Sequence, residues 1–312
     1  MLQFFLLSAP LFAIILVGYG IGLWPRWRRD WTNLASKIVF TVLLPALLFY
    51  LLSDLSKLPP VDARLLLAFF GGCFIVFAMG KFVAARMFKL DAVSQSIFGL
   101  STIFSNNVLL GLPLAKLTLG DRALPSVVLI LAFNSFTLWT LVSVSIEWAQ
   151  HGSFTVAGFG KTALSLLKNP IIIAILAGTA FGLSGLELPG AINMVLASLS
   201  HIAAPAALLV LGMGLAEYGI RSGWQQSIAI TVLKLVVQPL VVWLLGWALG
   251  LPAMELKVIV LLASMSVGVN VYLMSVQFQS LQSAVASSLV VSTALAAITT
   301  PVLLAALNAF VR

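Results

Sequence analysis

Charged residues are scarce in this chain of 312 residues: they make up 8% of it, and only 9 are Asp or Glu. No Asp or Glu falls near the centre of an apolar run, so a sodium site built from carboxylates, or the acidic pair of a cation/proton antiporter, has no candidate residues. Cysteine is scarcer still. The single Cys73 excludes a disulfide within the chain and suggests no metal framework.

The short motifs of common enzyme classes are also missing. The sequence has no P-loop, no Gly-x-Ser-x-Gly nucleophile turn and no His-Glu-x-x-His zinc motif. These absences argue against an ATPase, a hydrolase of that kind and a metalloenzyme. We therefore expect no catalytic residues, no metal and no cofactor.

Hydrophobic residues dominate the chain at 61%, and apolar runs of about 20 residues, the length that crosses a bilayer, recur throughout. This pattern predicts a polytopic membrane protein with an all-α fold. Runs bounded by charge, Pro or Gly predict ten transmembrane helices, at about 4–22, 33–53, 64–86, 93–117, 124–148, 170–187, 192–215, 225–249, 255–277 and 283–309.

The net charge of +8 comes from 17 Lys and Arg residues spread along the ends of apolar runs. This distribution favours lipid headgroups over nucleic acid as the partner. Basic residues favour the cytoplasmic side of a membrane, and more of them fall on that side if both termini lie outside. We therefore predict a protein of the cytoplasmic membrane with both termini outside. The first run has neither a basic start nor a small-residue cleavage site, so we expect it to remain as a helix.

The chain divides near its middle into two halves that carry Pro and Gly residues at corresponding positions. Residues 1–149 would form a first five-helix repeat, 150–168 a cytoplasmic linker and 169–312 a second repeat. At an offset of 160 the shared residues are Pro10 with Pro170, Gly18 with Gly178, Gly22 with Gly182 and Pro45 with Pro205. Because five crossings is an odd number, a duplication predicts inverted copies. Chance coincidence is the alternative, since Pro and Gly are common in membrane helices.

A polar break interrupts the fourth predicted helix, between Ser101 and Pro113. Pro113 cannot donate to the carbonyl of Leu109, so we expect the helix to unwind between about Asn107 and Pro113, eased by Gly111. Unwound backbone inside a membrane needs polar partners, and the amides of Asn106 and Asn107 can supply them while offering donors to a solute. A simple proline kink is the alternative.

A second break follows in the ninth predicted helix, where Ser264, Gly268 and Asn270 interrupt the apolar run. Ser264 corresponds to Ser101 and Asn270 to Asn107 at an offset of 163. Broken helices in corresponding halves are typical of a carrier's substrate site. Two half-helix amino termini with amide donors would form a cradle for a carboxylate.

Lys234 is the one strongly ionisable residue near the middle of an apolar run. It can bind a substrate anion, change protonation during transport, or hold a broken helix as a fixed charge; snorkelling to the interface is the alternative. Among weaker candidates, Asn134 and Thr293 are placed to line the same cavity, although hydrogen bonding between helices is the more common role.

These motifs together resemble the auxin efflux carrier family, which includes bacterial malonate and malate carriers and plant PIN-type auxin exporters. The resemblance rests on the ten helices, on the segment from Asn106 to Pro113, and on the segment from Leu233 to Pro239. It implies a fold similar to sodium/proton antiporters and bile acid transporters, in which helices 4 and 9 cross at their breaks. Helices 1, 2, 6 and 7 would form a scaffold, and helices 3–5 and 8–10 a transport domain that moves as an elevator.

The resemblance also implies homodimers, and Asn107, Pro113 and Asn270 carry over as residues of the crossing. One departure is that the second crossing of this family often carries a proline, whereas residues 264–270 contain none. Gly268 would have to supply the flexibility instead.

The function we expect is secondary transport of a small organic anion, such as malonate or malate, driven by the membrane potential or by protons. Two alternatives remain open. One is an exporter of aromatic or other hydrophobic acids, and the other is a membrane receptor that binds a ligand without transporting it.

Overall fold

The computed structural model describes residues 2–53, 61–151, 170–218 and 223–310, and in these ranges the chain is all-helical. The first half contains α1 (Leu2–Leu23), α2 (Arg29–Leu52), α3 (Arg64–Arg86), α4 (Ala92–Ile103), α5 (Asn107–Leu119) and α6 (Leu124–His151). The second half contains α7 (Pro170–Leu183), α8 (Gly190–Tyr218), α9 (Trp224–Ala248), α10 (Ala253–Ala263), α11 (Val269–Gln277) and α12 (Gln282–Phe310). Nearly all of the predicted linker, from residue 152 onward, lies outside the described residues.

The ten predicted apolar segments are mostly helical, and the fourth and the ninth are each formed by two helices. Within the described ranges, five helices are long and apolar enough to cross a membrane: Arg29–Leu52, Arg64–Arg86, Gly190–Ala216, Trp224–Ala248 and Gln282–Ala309. Shorter apolar helices accompany them, among them Ala92–Ile103 and Asn107–Leu119. The protein is therefore a polytopic membrane protein, while the number of ten crossings and the inverted repeat stay predictions.

In the part of the chain that the structure describes, three helices contain a single wide turn just before a proline. These π-helical turns span Val39–Leu43, Asn107–Gly111 and Leu233–Val237, and Pro45, Pro113 and Pro239 each follow two residues later. The residue before each proline donates its N–H five residues back instead of four, in the pairs Leu44 to Val39, Leu112 to Asn107 and Gln238 to Leu233. Proline donates no N–H, and the wider turn accommodates it by shifting the hydrogen bond of the preceding residue by one position. Each helix therefore continues through its proline.

One prediction about the fourth helix is wrong. The fourth predicted helix does not unwind between Asn107 and Pro113, because the π-helical turn carries the helix through that segment. The unwound residues are instead 104–106, where Phe104 has an extended backbone. The ninth predicted helix is interrupted at residues 264–268, without a proline.

Close helix packing is most extensive among four helices. The helix α1 packs along α8, and α2 packs along both α7 and α8. At the first contact a Cβ on Gly18 would overlap the carbonyl of Leu209, and one on Gly212 would overlap the carbonyl of Ile15. Glycine is needed at both positions because backbones this close leave no room for a side chain.

Candidate functional site

The two helix breaks meet and satisfy each other's backbone. The Asn106 N–H donates to the Ser266 carbonyl at 2.9 Å, and the Gly268 N–H donates to the Phe104 carbonyl at 2.8 Å. They frame an antiparallel bridge between Ser105 and Val267. Because unpaired backbone groups are costly inside a membrane, this exchange is what allows two unwound segments to lie in the protein interior.

Gly268 is required at this bridge by space rather than by flexibility. Its backbone is extended, in a region open to any residue. A Cβ there would lie 2.9 Å from the Phe104 ring and 3.2 Å from the Ser105 carbonyl oxygen. The close approach of the two segments therefore explains the glycine, and the flexibility expected from the sequence is not its reason.

Lys234 and Gln238 donate hydrogen bonds to the carboxyl-terminal ends of α4 and α10, the two half-helices that end at the breaks. The Lys234 Nζ donates at 2.6 Å to the carbonyl of Ala263, the last residue of α10, and at 2.6 Å to Gln238 Oε1. The Gln238 Nε2 donates at 2.9 Å to the carbonyl of Ile103, the last residue of α4. Both side chains are fully buried. Helix carboxyl ends carry unpaired carbonyls and partial negative charge, so an ammonium and an amide suit them.

A narrow cavity lies at the opposite side of the breaks, where α5 and α11 begin. Its volume is about 40 Å³, enough for water molecules. Polar residues from three helices and apolar residues from α2 and α7 line it together. The lining residues are Phe40, Phe104, Ser105, Asn106, Asn107, Val108, Leu109, Asn134, Ile171, Gly268, Val269 and Asn270.

Several buried polar atoms around this cavity have no hydrogen-bond partner among the described residues. They are Asn106 Nδ2, both amide atoms of Asn107, Asn134 Oδ1 and Ser105 Oγ. A buried polar group left unpaired costs about 1–3 kcal/mol, and native proteins keep few of them. Their concentration beside two helix amino termini makes the cavity a candidate site for a polar ligand or for water.

The predicted binding residues divide into two groups. Asn106, Asn107, Gly268, Asn270 and Asn134 line the cavity. The others do not line it: Ser101, Ser264, Gly111, Pro113, Thr293 and Lys234.

The hydroxyls in the second group are satisfied within their own helices, by the carbonyls of Ile97 for Ser101, Leu261 for Ser264 and Leu289 for Thr293. Gly111 faces Leu262 and Met265 in the packed core, and Pro113 is buried beside it in α5. These residues pack within or beside the helices around the breaks, and none of them lines the cavity.

The sequence interpretation gave no role to Gln238, Phe40 or Ile171. Gln238 carried a usable signal, since it stands four residues after Lys234 in an apolar helix, and that spacing brings two side chains together. Phe40 and Ile171 carried none. They come from distant helices, and only the packing of α2 and α7 brings them to the cavity.

Within the described ranges, no group of three or more His, Cys, Asp or Glu residues could hold a metal ion. Apolar helices with buried polar residues at two interrupted helices are typical of membrane carriers. The sequence comparison agrees: the family model described as membrane transport protein, the auxin efflux carrier family, matches residues 4–304. The chain belongs to this family, which confirms the resemblance noted in the sequence.

Two relatives with low sequence identity match most of this chain. A protein of Rhizobium meliloti (strain 1021) named "Putative malonate transporter" is 26% identical over 303 residues, which cover 94% of this chain and 92% of the relative. The uncharacterized transporter YfdV of Escherichia coli (strain K12) is 26% identical over 274 residues, which cover 84% of each chain.

Proposed function

We propose that the protein is a secondary carrier of small organic anions, and that the cavity between the two breaks is its substrate site. The observation that carries this proposal is the pair of unpaired Nδ2 donors on Asn106 and Asn107, which lie beside the first turns of α5 and α11. Helix amino termini present free N–H groups and partial positive charge, which favour an anion.

A carboxylate is the anion that this site fits best. It accepts several hydrogen bonds in one plane, and asparagine amides together with backbone N–H groups donate them. Phe40 and Ile171 give the opposite wall of the cavity an apolar surface, which would suit the short carbon chain of a mono- or dicarboxylate once the cavity widens beyond its volume of about 40 Å³. The name of the Rhizobium meliloti relative points to malonate as the first substrate to test.

The mechanism we propose is elevator-type alternating access. The scaffold would be α1, α2, α7 and α8, and the transport domain would be α3–α6 with α9–α12. Helix packing supports an inverted repeat, because contacts recur when the halves are exchanged: α1 with α8 corresponds to α7 with α2, and α3 with α4 corresponds to α9 with α10. The scaffold supplies Phe40 and Ile171, so the cavity lies at the boundary between the two proposed domains.

Lys234 would act in this mechanism as a fixed charge that holds the transport domain together. Its contacts with Ala263 and Gln238 support this role over direct binding of the substrate. Its charge would take the place of a coupling cation, so that transport follows the membrane potential or a proton gradient. We further propose that the carrier lies in the cytoplasmic membrane with both termini outside, and that it forms homodimers through the scaffold.

Counterflow of labelled malonate into proteoliposomes tests the substrate site. Asn107→Ala removes two amide atoms from the cavity, and hydrogen bonds to a charged ligand are worth about 1.5–3 kcal/mol, so we expect uptake at low substrate to fall at least about tenfold. Ser264→Ala is the matched control, since Ser264 is buried at the second break without lining the cavity. Malonate uptake by Asn107→Ala at the rate of the control would contradict the site.

An exporter of aromatic acids is the second candidate, and it rests on the Phe40 and Phe104 rings in the cavity wall. Adding unlabelled indole acids to the same assay separates the two. Stronger competition by an indole acid than by unlabelled malonate would favour the aromatic substrate. A ligand that raises thermal stability without counterflow would instead favour a receptor.

A further inference from the structure

We propose that a second cavity, on the side of α3 and α6, binds the phosphate group of an anionic phospholipid. The cavity has a volume of about 240 Å³ and is lined by Lys81 of α3, Ala92 at the start of α4, and Val144, Ser145 and Trp148 of α6. None of these residues lines the substrate cavity. The proposal is therefore independent of the proposed transport function.

The polar floor of this cavity is held in place by a chain of hydrogen bonds. The Lys81 Nζ donates to Ser145 Oγ at 2.8 Å, and the Ser145 and Ser96 hydroxyls lie 2.8 Å apart. Ser96 in turn donates to the Ala92 carbonyl at 2.9 Å. These contacts fix the ammonium at the cavity instead of leaving it to follow the solvent.

The ammonium of Lys81 has a hydroxyl but no carboxylate within ion-pair distance among the described residues. The nearest carboxylate in sequence on α6, that of Glu147, does not line the cavity. Lys81 is half-buried, and its Nζ lies 5.8 Å from the centre of the Phe77 ring. A lysine on an apolar helix without a counter-ion favours an anion from outside the protein, and a phosphate group fits a point charge of this kind.

The surroundings favour a lipid as the source of that phosphate. Lys81 is five residues from the end of α3, and Trp148 is three residues from the end of α6, so the cavity lies near one membrane surface. Trp148 and Phe82 are both 64% exposed, and Arg86 lies over the Phe82 ring. This mixture of apolar surface, interfacial Trp and basic groups is what a phospholipid meets with its chains and its headgroup.

This end of the bundle is also the one that we predict to face the cytoplasm. Arg86 and Lys89 stand at the same end as Lys81. Basic pockets between helices on that side bind anionic headgroups, because the cytoplasmic leaflet is negatively charged.

Native mass spectrometry of the detergent-purified full-length protein, titrated with phosphatidylglycerol or phosphatidylcholine, tests the proposal. We expect phosphatidylglycerol to bind more tightly than phosphatidylcholine, and Lys81→Gln to weaken its binding about tenfold, the loss of one charged hydrogen bond. Lys81→Arg should retain the preference, since arginine also binds phosphate. Lys37→Gln is the matched control, because it removes the same charge from an exposed position on α2 and should change the affinity less than twofold.

Equal affinities for the two lipids, or the same phosphatidylglycerol affinity in Lys81→Gln and wild type, would overturn the proposal. Displacement of the bound lipid by an equal concentration of inorganic phosphate would also overturn it, since the occupant would then be a soluble anion. If Lys81→Gln does not fold, Ser145→Val decides. Loss of the preference for phosphatidylglycerol would support the site, and an unchanged preference would overturn it.

Discussion

Replacing Lys234 and Gln238, singly and together, measures how the two half-helix ends are held. Gln238→Leu leaves the Ile103 carbonyl without its donor, at about 1–3 kcal/mol, and removes the bond between Gln238 and the ammonium, at about 1.5–3 kcal/mol. We therefore expect this variant to lose roughly 2.5–6 kcal/mol of unfolding free energy.

Lys234→Met has a smaller expected effect. It leaves the Ala263 carbonyl and Gln238 Oε1 unpaired, but it also relieves the burial of an ammonium, which is worth several kcal/mol. The bond between Lys234 and Gln238 is lost in both single variants. The double variant should therefore be less destabilised than the sum of the two, by about 1.5–3 kcal/mol.

Equilibrium unfolding of the purified protein in mixed micelles, monitored by tryptophan fluorescence, gives the four free energies of this cycle. Thr231→Ala is the control on the same helix, because its buried hydroxyl bonds only to the Ser227 carbonyl of its own helix. Additive losses, with a coupling below about 0.5 kcal/mol, would refute the shared role of the pair. A Lys234→Met variant with wild-type stability and no malonate binding would refute it too, since the lysine would then contact the substrate.

Two further predictions concern stability away from the site. Gly212→Ala should destabilise the protein by about 1–3 kcal/mol or more, because its Cβ overlaps the Ile15 carbonyl and must push α1 from α8, whereas Gly20→Ala, with open space at its Cβ, should match wild type in thermal unfolding. The Asp91 carboxylate caps α4, and the hydrogen bond from the Ser94 hydroxyl is the main reason that its pKa lies below the usual value. Because the folded-state pKa is lowered, the stability from this cap is present at neutral pH and is lost as pH falls through the folded pKa. Asp91→Ala should therefore be about 1 kcal/mol less stable than wild type at pH 7, and the gap should close below about pH 4; a constant gap in thermal unfolding across this range would contradict the cap.

The helices were predictable because the length of an apolar run, and the Pro or Gly residues that bound it, can be read directly from the local sequence. The sequence predicted that a break exists in the first half, since two adjacent asparagines such as Asn106 and Asn107 are rare inside a membrane helix. The predicted position of the break was wrong. Pro113 suggested unwinding at its own turn. The structure instead widens the preceding turn, and it does the same before Pro45 and Pro239.

The candidate site was only partly predictable, for a different reason. Both amide atoms of Asn107 and the Oδ1 of Asn134 find no hydrogen-bond partner among the described residues, so they remain available to a cavity. Serine and threonine hydroxyls reach back to a carbonyl of the same helix, and Ser101, Ser264 and Thr293 all do so. Side-chain length and geometry decide between these outcomes, and a hydropathy pattern does not record them.

The bridge between Ser105 and Val267 joins the two halves of the chain through main-chain atoms alone. Replacing the side chain of Ser105 or Val267 deletes none of the hydrogen bonds of the bridge, whereas Gly268 is fixed there by lack of space. The side-chain amides around the cavity take no part in these hydrogen bonds. The amides of the proposed substrate site could therefore vary between members of the family while the bridge stays constant.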